Sequence, residues 1–249
     1  MEIGIYCTSI RPHLWKGLYE SLSQNNVDFN LCIAGPCPPT ETLPVNVKYI
    51  QTNVKPPQCC FIAANNTKGE YVGLLSDDAR LSPKALDNLL EIAIHEKMSI
   101  VSPVWQILGG PEAHYSLVVE WGYQRPDNKV RTIKLDFPWP IGGLMKREDF
   151  NAIGIDNNFI GTFWELDMTF EFISRGGKVI IDKNSIFTET ESNSHLGAMS
   201  VGIGDYQKAL DMWIDNDRVR PQRKIPIDPL IYNDTVLTVS QGPKLDCWN

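Results

Sequence analysis

Gly69-Glu70-Tyr71-Val72-Gly73-Leu74-Leu75-Ser76-Asp77-Asp78 holds a chain-turning glycine, a short apolar run and a pair of acids. Tyr71 to Leu75 is too short for a helix and reads as a strand buried in a sheet. It leads straight into Asp77 and Asp78. Two adjacent carboxylates at the end of a buried strand are costly unless something neutralises them. In open α/β sheets, ligands bind beyond the carboxyl ends of the strands. A hard divalent cation, completed by a diphosphate, would balance such a pair. A polar turn in which Asp77 or Asp78 caps the next helix is the plainer reading of the same residues.

Working toward the N-terminus, residues 3–7 form another apolar run, followed by Thr8-Ser9-Ile10-Arg11-Pro12. A helix is expected over about 12–24, with Leu14, Leu18, Tyr19 and Leu22 on one face. Phe29 to Ala34 reads as a strand ended by Gly35-Pro36, and Val47 to Gln51 as a third. A helix from Pro57 to Thr67 brings the chain back to Gly69. Beyond the acids, Ser82 is a good N-cap with Pro83 at the first helical position. Leu86, Leu89, Leu90, Ala93 and Ile94 make that helix's apolar stripe. Ile100 to Val104 is the next strand. This alternation predicts an α/β domain with a mainly parallel sheet flanked by helices.

Residues 103–140 change character, with many aromatics, Gly and Pro, and hairpin-like stretches around Tyr115–Tyr123 and Val130–Leu135. Ile141 to Met145 reads as a strand, Arg147 to Ala152 as a short helix, and Phe163 to Ser174 as a helix with Phe170 and Ile173 in the core. Gly176-Gly177 stops that helix, and Lys178 to Asp182 is a late strand. The expected division is a catalytic domain over 1–204, with halves 1–104 and 105–204, then a helix around Tyr206–Ile214 and a tail to 249.

The 249 residues, 43% hydrophobic, suffice to bury a large core without staples. A net charge of −7 argues against a nucleic-acid partner, which needs a basic surface. An acidic protein that binds an anion needs local positive charge, and a bound cation is one source. The six cysteines form no CxxC pair, so reduced, buried thiols are expected. No apolar run is long enough to span a bilayer and no signal peptide is evident, which points to a cytoplasmic protein.

Two further segments carry chemistry. Trp164-Glu165-Leu166-Asp167 places two carboxylates at a helix start, after the loop Asn157–Gly161, which reads as flexible. An ionised carboxylate can take a proton from an attacking hydroxyl, although acids also favour helix N-termini for dipole reasons. His195, in His195-Leu196-Gly197, could ligate a metal or bond a phosphate, although a single His is more often structural.

Together these segments resemble glycosyltransferase family 2 and its GT-A-fold relatives. Residues 69–78 resemble the G-E-Y-hydrophobic-D-D segment. Gly142-Gly143, with Arg147, Phe150 and Ile153-Gly154, is similar to the G-G-x-x-x-x-R-x-x-F-x-x-I-G segment. Trp164–Asp167 resembles W-E-D-x-D, and His195-Leu196-Gly197 with Ser200 resembles the H-x-x-G-x-S tail. The resemblance implies a GT-A fold and transfer of a sugar from a nucleotide-diphosphate donor to a glycan or other hydroxyl. It implies that Asp78, with Asp77, holds Mn2+ or Mg2+ and the diphosphate, with His195 as a further ligand. Thr8, Ser9 and Arg11 would hold the nucleotide. Gly142, Gly143 and Trp164 would meet the donor sugar. Glu165 would be the catalytic base, with Asp167 its rival because Leu166 replaces one acid of the pattern. The family's base-reading Asp is replaced by Ala34-Gly35-Pro36, and its Arg-Asn by Cys60-Phe61. Trp105, Trp121, Tyr123 and Trp139 are candidates to stack on the acceptor. The alternatives are a retaining transferase, a nucleotidyltransferase, for which the loop after the first strand is a poor fit, and a degenerate nucleotide- or glycan-binding module.

Overall fold

A computed structural model of the chain describes residues 1–107, 120–124, 130–134, 140, 142–161, 163–190 and 203–213. β1 (Glu2–Thr8) lies between β2 (Asp28–Gly35) and β4 (Tyr71–Leu74), parallel to both, and β3 (Val47–Gln51) extends the sheet beyond β2. On the other side come β9 (Leu144–Lys146), β6 (Ser99–Ile107), β10 (Lys178–Glu189) and β5 (Ala79–Leu81). β9 runs antiparallel to β4 and β6, and β5 antiparallel to β10; the other pairs are parallel. β7 (Glu120–Gln124) and β8 (Val130–Lys134) pair separately as an antiparallel ribbon, within the region expected to hold hairpins.

Both faces of the sheet are covered, which explains the continuous apolar runs. Side chains alternate along each strand. Ile3, Ile5 and Cys7 of β1, with Leu31 and Ile33 of β2, enter one core cluster. α1 (Trp15–Leu22) and α3 (Ala85–His95) close it with Leu18, Leu22, Leu86 and Leu89. Tyr6, Cys32 and Ala34 face the opposite cluster. That cluster is closed by α2 (Pro56–Asn65), α4 (Arg147–Ile153), α5 (Trp164–Ser174) and α6 (Ile203–Trp213). Of the cysteines expected to be buried and reduced, Cys7, Cys32, Cys59 and Cys60 are buried and unbridged, Cys37 is unbridged but only half-buried, and Cys247 lies outside the described residues; burial pushes the Cys32 and Cys59 thiols up to about 12.

Several local expectations shift. Pro12–Leu14 is a 3-10 turn, and α1 starts only at Trp15. Ser82 does not cap α3: its amide donates to Ile186 O at 2.9 Å and its hydroxyl accepts from Ile186 N–H at 3.0 Å. It thereby continues the pairing of β5, a strand too short to announce itself, and Lys84 begins the helix at φ 64°. Ile94 is 46% exposed rather than part of the stripe. In α5 the core stripe is Trp164, Met168 and Phe172, not Phe170 and Ile173. Arg147 fastens α4 at the far end of β4 from the acids, donating to Gly69 O at 2.6 Å, Ala64 O at 3.0 Å and Thr67 Oγ1 at 3.0 Å. Among the described residues, no helix is long and apolar enough to cross a membrane.

α6 belongs to the packing around α5. Ala209 and Met212 are buried in the same cluster as Trp164, and the Trp213 ring stacks on Phe170 at 5.2 Å. Truncating Met212, which is 3% exposed, removes apolar contacts that cannot be remade. Met212→Ala is expected to cost about 2–4 kcal/mol in urea unfolding. A loss below about 0.5 kcal/mol, typical of surface substitutions, would show that α6 does not support α5.

Candidate active site

β4 ends in the middle of the sheet, and the chain continues through Leu75, whose amide donates to Tyr6 O at 3.1 Å. The Ser76-Asp77-Asp78 turn is closed by Ala79 N–H donating to Ser76 O at 3.1 Å. Asp77 and Asp78 are 3% and 1% exposed, so their charges are met by protein. Ser9 Oγ–H donates to Asp77 Oδ2 at 2.6 Å and Arg11 Nε–H to the same oxygen at 3.1 Å. Arg11 Nη2 pairs with Asp77 Oδ1 and lies 3.2 Å from Asp78 Oδ2. Ser76 Oγ–H donates to Asp78 Oδ1 at 2.6 Å.

The loop after β1 is built to deliver these donors. Ser9 Oγ accepts from Arg11 N–H at 3.0 Å and from the Trp15 indole N–H at 2.6 Å. Its backbone amide donates to Ala34 O at 3.2 Å. Gly35 has no room for a side chain, since a Cβ would lie 2.0 Å from Ser9 O. Thr8 closes β1, half-buried.

Burial raises the Asp77 pKa, and the hydrogen bonds and charge of Arg11, with Ser9, only partly reverse it. Burial alone would lower Arg11, but Asp77 and then Asp78 hold its pKa above the ordinary guanidinium value. Asp78 Oδ2 is buried without a well-aligned hydrogen bond, with the Arg11 guanidinium 3.2 Å away.

Gly143 O accepts from Leu74 N–H at 3.3 Å, which sets the glycine pair beside the strand that presents the acids. Gly142 has φ +68°, the left-handed region that favours glycine. A Cβ there would meet Phe187 at 2.9 Å, and one at Gly143 would meet Ile100 at 2.6 Å. The visible steric demand on both glycines is thus core packing. At the far side of the turn, Thr190 N–H and Oγ1–H donate to Asp78 O at 3.1 and 3.0 Å. His195 lies outside the described residues. Among the described residues, no group of three or more His, Cys, Asp or Glu side chains could hold a metal ion.

The second group of acids opens α5. Asp167 is fully buried and its Oδ1 accepts from the Trp213 indole N–H at 2.8 Å. Glu165 is only partly shielded from solvent, yet its carboxyl is pushed up to about 7. The main cause is desolvation; a backbone hydrogen bond opposes it and the Asp205 charge adds to it. Glu165 also acts electrostatically on Tyr6 and Cys60, while Asp77 and Asp78 act on Cys7. Tyr6 and Cys7 point to opposite faces of the sheet. Trp164, expected to meet the donor sugar, is a core residue at 2% exposure. Trp105, expected to face the acceptor, is buried in the opposite cluster. The side chains of Trp121 and Tyr123, and all of Trp139, lie outside the described residues.

Sequence reasoning missed the residues that hold the loop before Glu165. It is tied rather than free: Lys55 Nζ donates to Asn157 O at 2.7 Å and Phe159 O at 3.2 Å, and Asn158 N–H donates to Asp156 Oδ1 at 2.9 Å. Asp205 Oδ2 accepts from Ile160 N–H at 2.7 Å and Gly161 N–H at 2.6 Å. Lone charges far away in the chain leave no local signal. The two prolines after Lys55 mark only a helix start.

No protein-family profile matches the chain, and no curated protein matches it either. Solved structures do. S. aureus TarS 1-349 in complex with UDP superposes with TM-score 0.60 at 12% identity, over 87% of this chain and 66% of that one. S. aureus TarS 1-349 in complex with UDP-GlcNAc gives TM-score 0.56 at 12% identity, over 80% and 61%. A longer S. aureus TarS structure gives 0.58 at 12% identity, over 79% and 38%. The chain thus spans 61–66% of the length of the shorter TarS chains it matches and 38% of the longer one. At this identity the likeness establishes architecture: a mixed sheet flanked by helices, the GT-A fold expected from the sequence.

Proposed function

We propose that the chain is a glycosyltransferase that moves a sugar from a nucleotide-diphosphate donor to an acceptor hydroxyl, with inversion and with a divalent metal. The observation that carries this reading is the buried Asp77–Asp78 pair at the carboxyl end of β4, bridged to Ser9 and Arg11. The fold supports it, since TarS structures of that fold are complexes with UDP and UDP-GlcNAc.

The residues fit a hard cation. Both acids offer carboxylate oxygens, and Asp78 Oδ2 is buried without a well-aligned hydrogen bond. Asp78 and Asp77, with His195, would hold Mn2+ or Mg2+, which neutralises charge on a leaving diphosphate. Arg11 supplies a second positive charge beside the acids, its Nε and Nη2 engaged by Asp77. Ser9 and the Gly35 turn hold the loop that presents it. The presence of a guanidinium on the acids also favours a second reading, in which Arg11 itself serves as the cation and turnover needs no metal. Activity that survives a chelator unchanged would select that version.

Glu165 serves as the base. A carboxyl near 7 is substantially ionised at neutral pH and proton-hungry enough to be effective. It takes the acceptor's proton as the acceptor oxygen bonds to the anomeric carbon. The bond from that carbon to the phosphate oxygen breaks on the opposite face, and the nucleoside diphosphate leaves with the electron pair. Asp167 is a support, because its carboxylate is buried and holds Trp213.

Asp78→Asn is expected to lower transfer about 10²–10³-fold. Glu165→Gln is expected to abolish transfer while donor affinity stays within about threefold, read by product formation and donor titration. A dead Asp167→Asn beside an active Glu165→Gln would move the base to Asp167. Glu165 also makes a stability prediction. Its folded pKa exceeds its unfolded value, so the folded state binds the proton more tightly. The stability tied to that proton is complete below about pH 4.5 and is lost as pH rises through about 7. Glu165→Gln is therefore expected to be more stable than the parent at pH 8, with the gain vanishing by about pH 4. Equal gains at both pH values in denaturant unfolding would contradict a buried, raised carboxyl.

A further inference from the structure

α6 carries two charges that serve neither the acid pair nor the helix's own packing. Asp205 is fully buried, and a buried carboxylate needs partners. It finds them outside its helix, in the Ile160 and Gly161 amides at 2.7 and 2.6 Å. Lys208 completes the arrangement: its Nζ is 2.9 Å from Asp205 Oδ1 and donates to Asn158 O at 2.7 Å. The loop so held runs directly into α5, whose first turn carries Glu165. From the other side, Lys55 takes the Asn157 and Phe159 carbonyls. Loop carbonyls and amides are thus read by buried or half-buried charges from two helices. Packing alone would not require this.

We propose that Asp205 and Lys208 are positioning residues that fix the loop before Glu165 and set the net charge Glu165 faces. This rests on the reading of Glu165 as the base. Asp205 holds the loop that leads into Glu165's turn, and its charge acts to keep the proton on Glu165. Lys208 offsets part of that charge. Among the described residues, the other titratable groups in Glu165's surroundings are Tyr6 on β1 and Cys60 on α2, both held neutral by burial, together with Asp167 on α5. Lys55, at the start of α2, binds the loop carbonyls. The Asp205–Lys208 pair is therefore the adjustable element.

The pair permits a test by opposite signs. Glutamate carboxyls are labelled with carbon-13, the Glu165 signal is assigned by its loss in Glu165→Gln, and its titration is followed by NMR. Asp205→Asn removes a negative charge and is expected to lower the Glu165 midpoint by about half a unit or more. Lys208→Met removes the compensating positive charge and is expected to raise it, while Lys208→Arg leaves it at the parent value. Loosening of the loop would move both variants the same way, so shifts of the same sign, or none, overturn the proposal. If Asp205→Asn does not fold, the Lys208→Met and Lys208→Arg pair decides alone. The outcomes separate from those of the base reading. An active Glu165→Gln removes the base role and leaves the midpoint shifts standing, whereas unmoved midpoints with an inactive Glu165→Gln remove only the clamp.

Discussion

Two carboxylates buried at the end of a central strand impose the constraint from which the packing around the turns after β1 and β4 follows. Asp77 and Asp78 are nearly inaccessible to solvent, so their charges must be balanced within a few ångströms. Arg11 and Ser9 provide the balance, which ties the turn after β4 to the turn after β1. Ser9 is in turn fixed by the Trp15 indole and by the close approach of Gly35. A short chain of contacts thus links β1, β2, β4 and α1 around one charged centre. Breaking a buried pair of this kind by removing one partner commonly costs about 3–5 kcal/mol, because the other charge is stranded.

The other half of the site works on a different principle. The Glu165 carboxyl is poorly solvated, and that environment is assembled from sequence-distant elements. Asp167, two residues on, is fully enclosed and bonded to Trp213. The same helix therefore carries one carboxyl that burial holds protonated up to about pH 7 and spends the other on its own attachment. Helix α6 contributes twice, by filling the core with Ala209 and Met212 and by clamping the loop with Asp205. The loop before α5 is held by charge from Lys55, Asp205 and Lys208, as the proposed role of Glu165 would require.

Much of the fold was legible because its signals are local. The apolar runs of β1, β2 and β4 and the stripe of Leu86, Leu89 and Leu90 declare strand and helix by periodicity alone. The acid pair was legible from its position at a strand's end. What escaped depends on distant partners. Ser82 and Pro83 look like a helix start, but the backbone of Ile186 claims Ser82 for the sheet. Trp164 looks like a ligand-facing aromatic, but the α6 side of the core buries it. Arg11 was expected to meet a nucleotide; its pairing with Asp77, across more than sixty positions, has no sequence signature. Asp205 and Lys55 were invisible for the same reason, since a lone charge becomes informative only when its partner is placed beside it.

The central claim is that the Asp77–Asp78 centre binds a nucleotide diphosphate with a divalent cation. Thermal unfolding across a panel of nucleoside diphosphates and nucleotide sugars, with Mn2+ and with chelator, tests it without knowledge of the acceptor. At a ligand concentration about 100 times Kd, binding stabilises by about 2.7 kcal/mol, enough to raise Tm by a few degrees. The account predicts such a rise for at least one nucleotide in Mn2+, its loss in chelator, and its absence in a chain carrying both Asp77→Asn and Asp78→Asn. No rise with any nucleotide, or an undiminished rise in the doubly substituted chain, would contradict it.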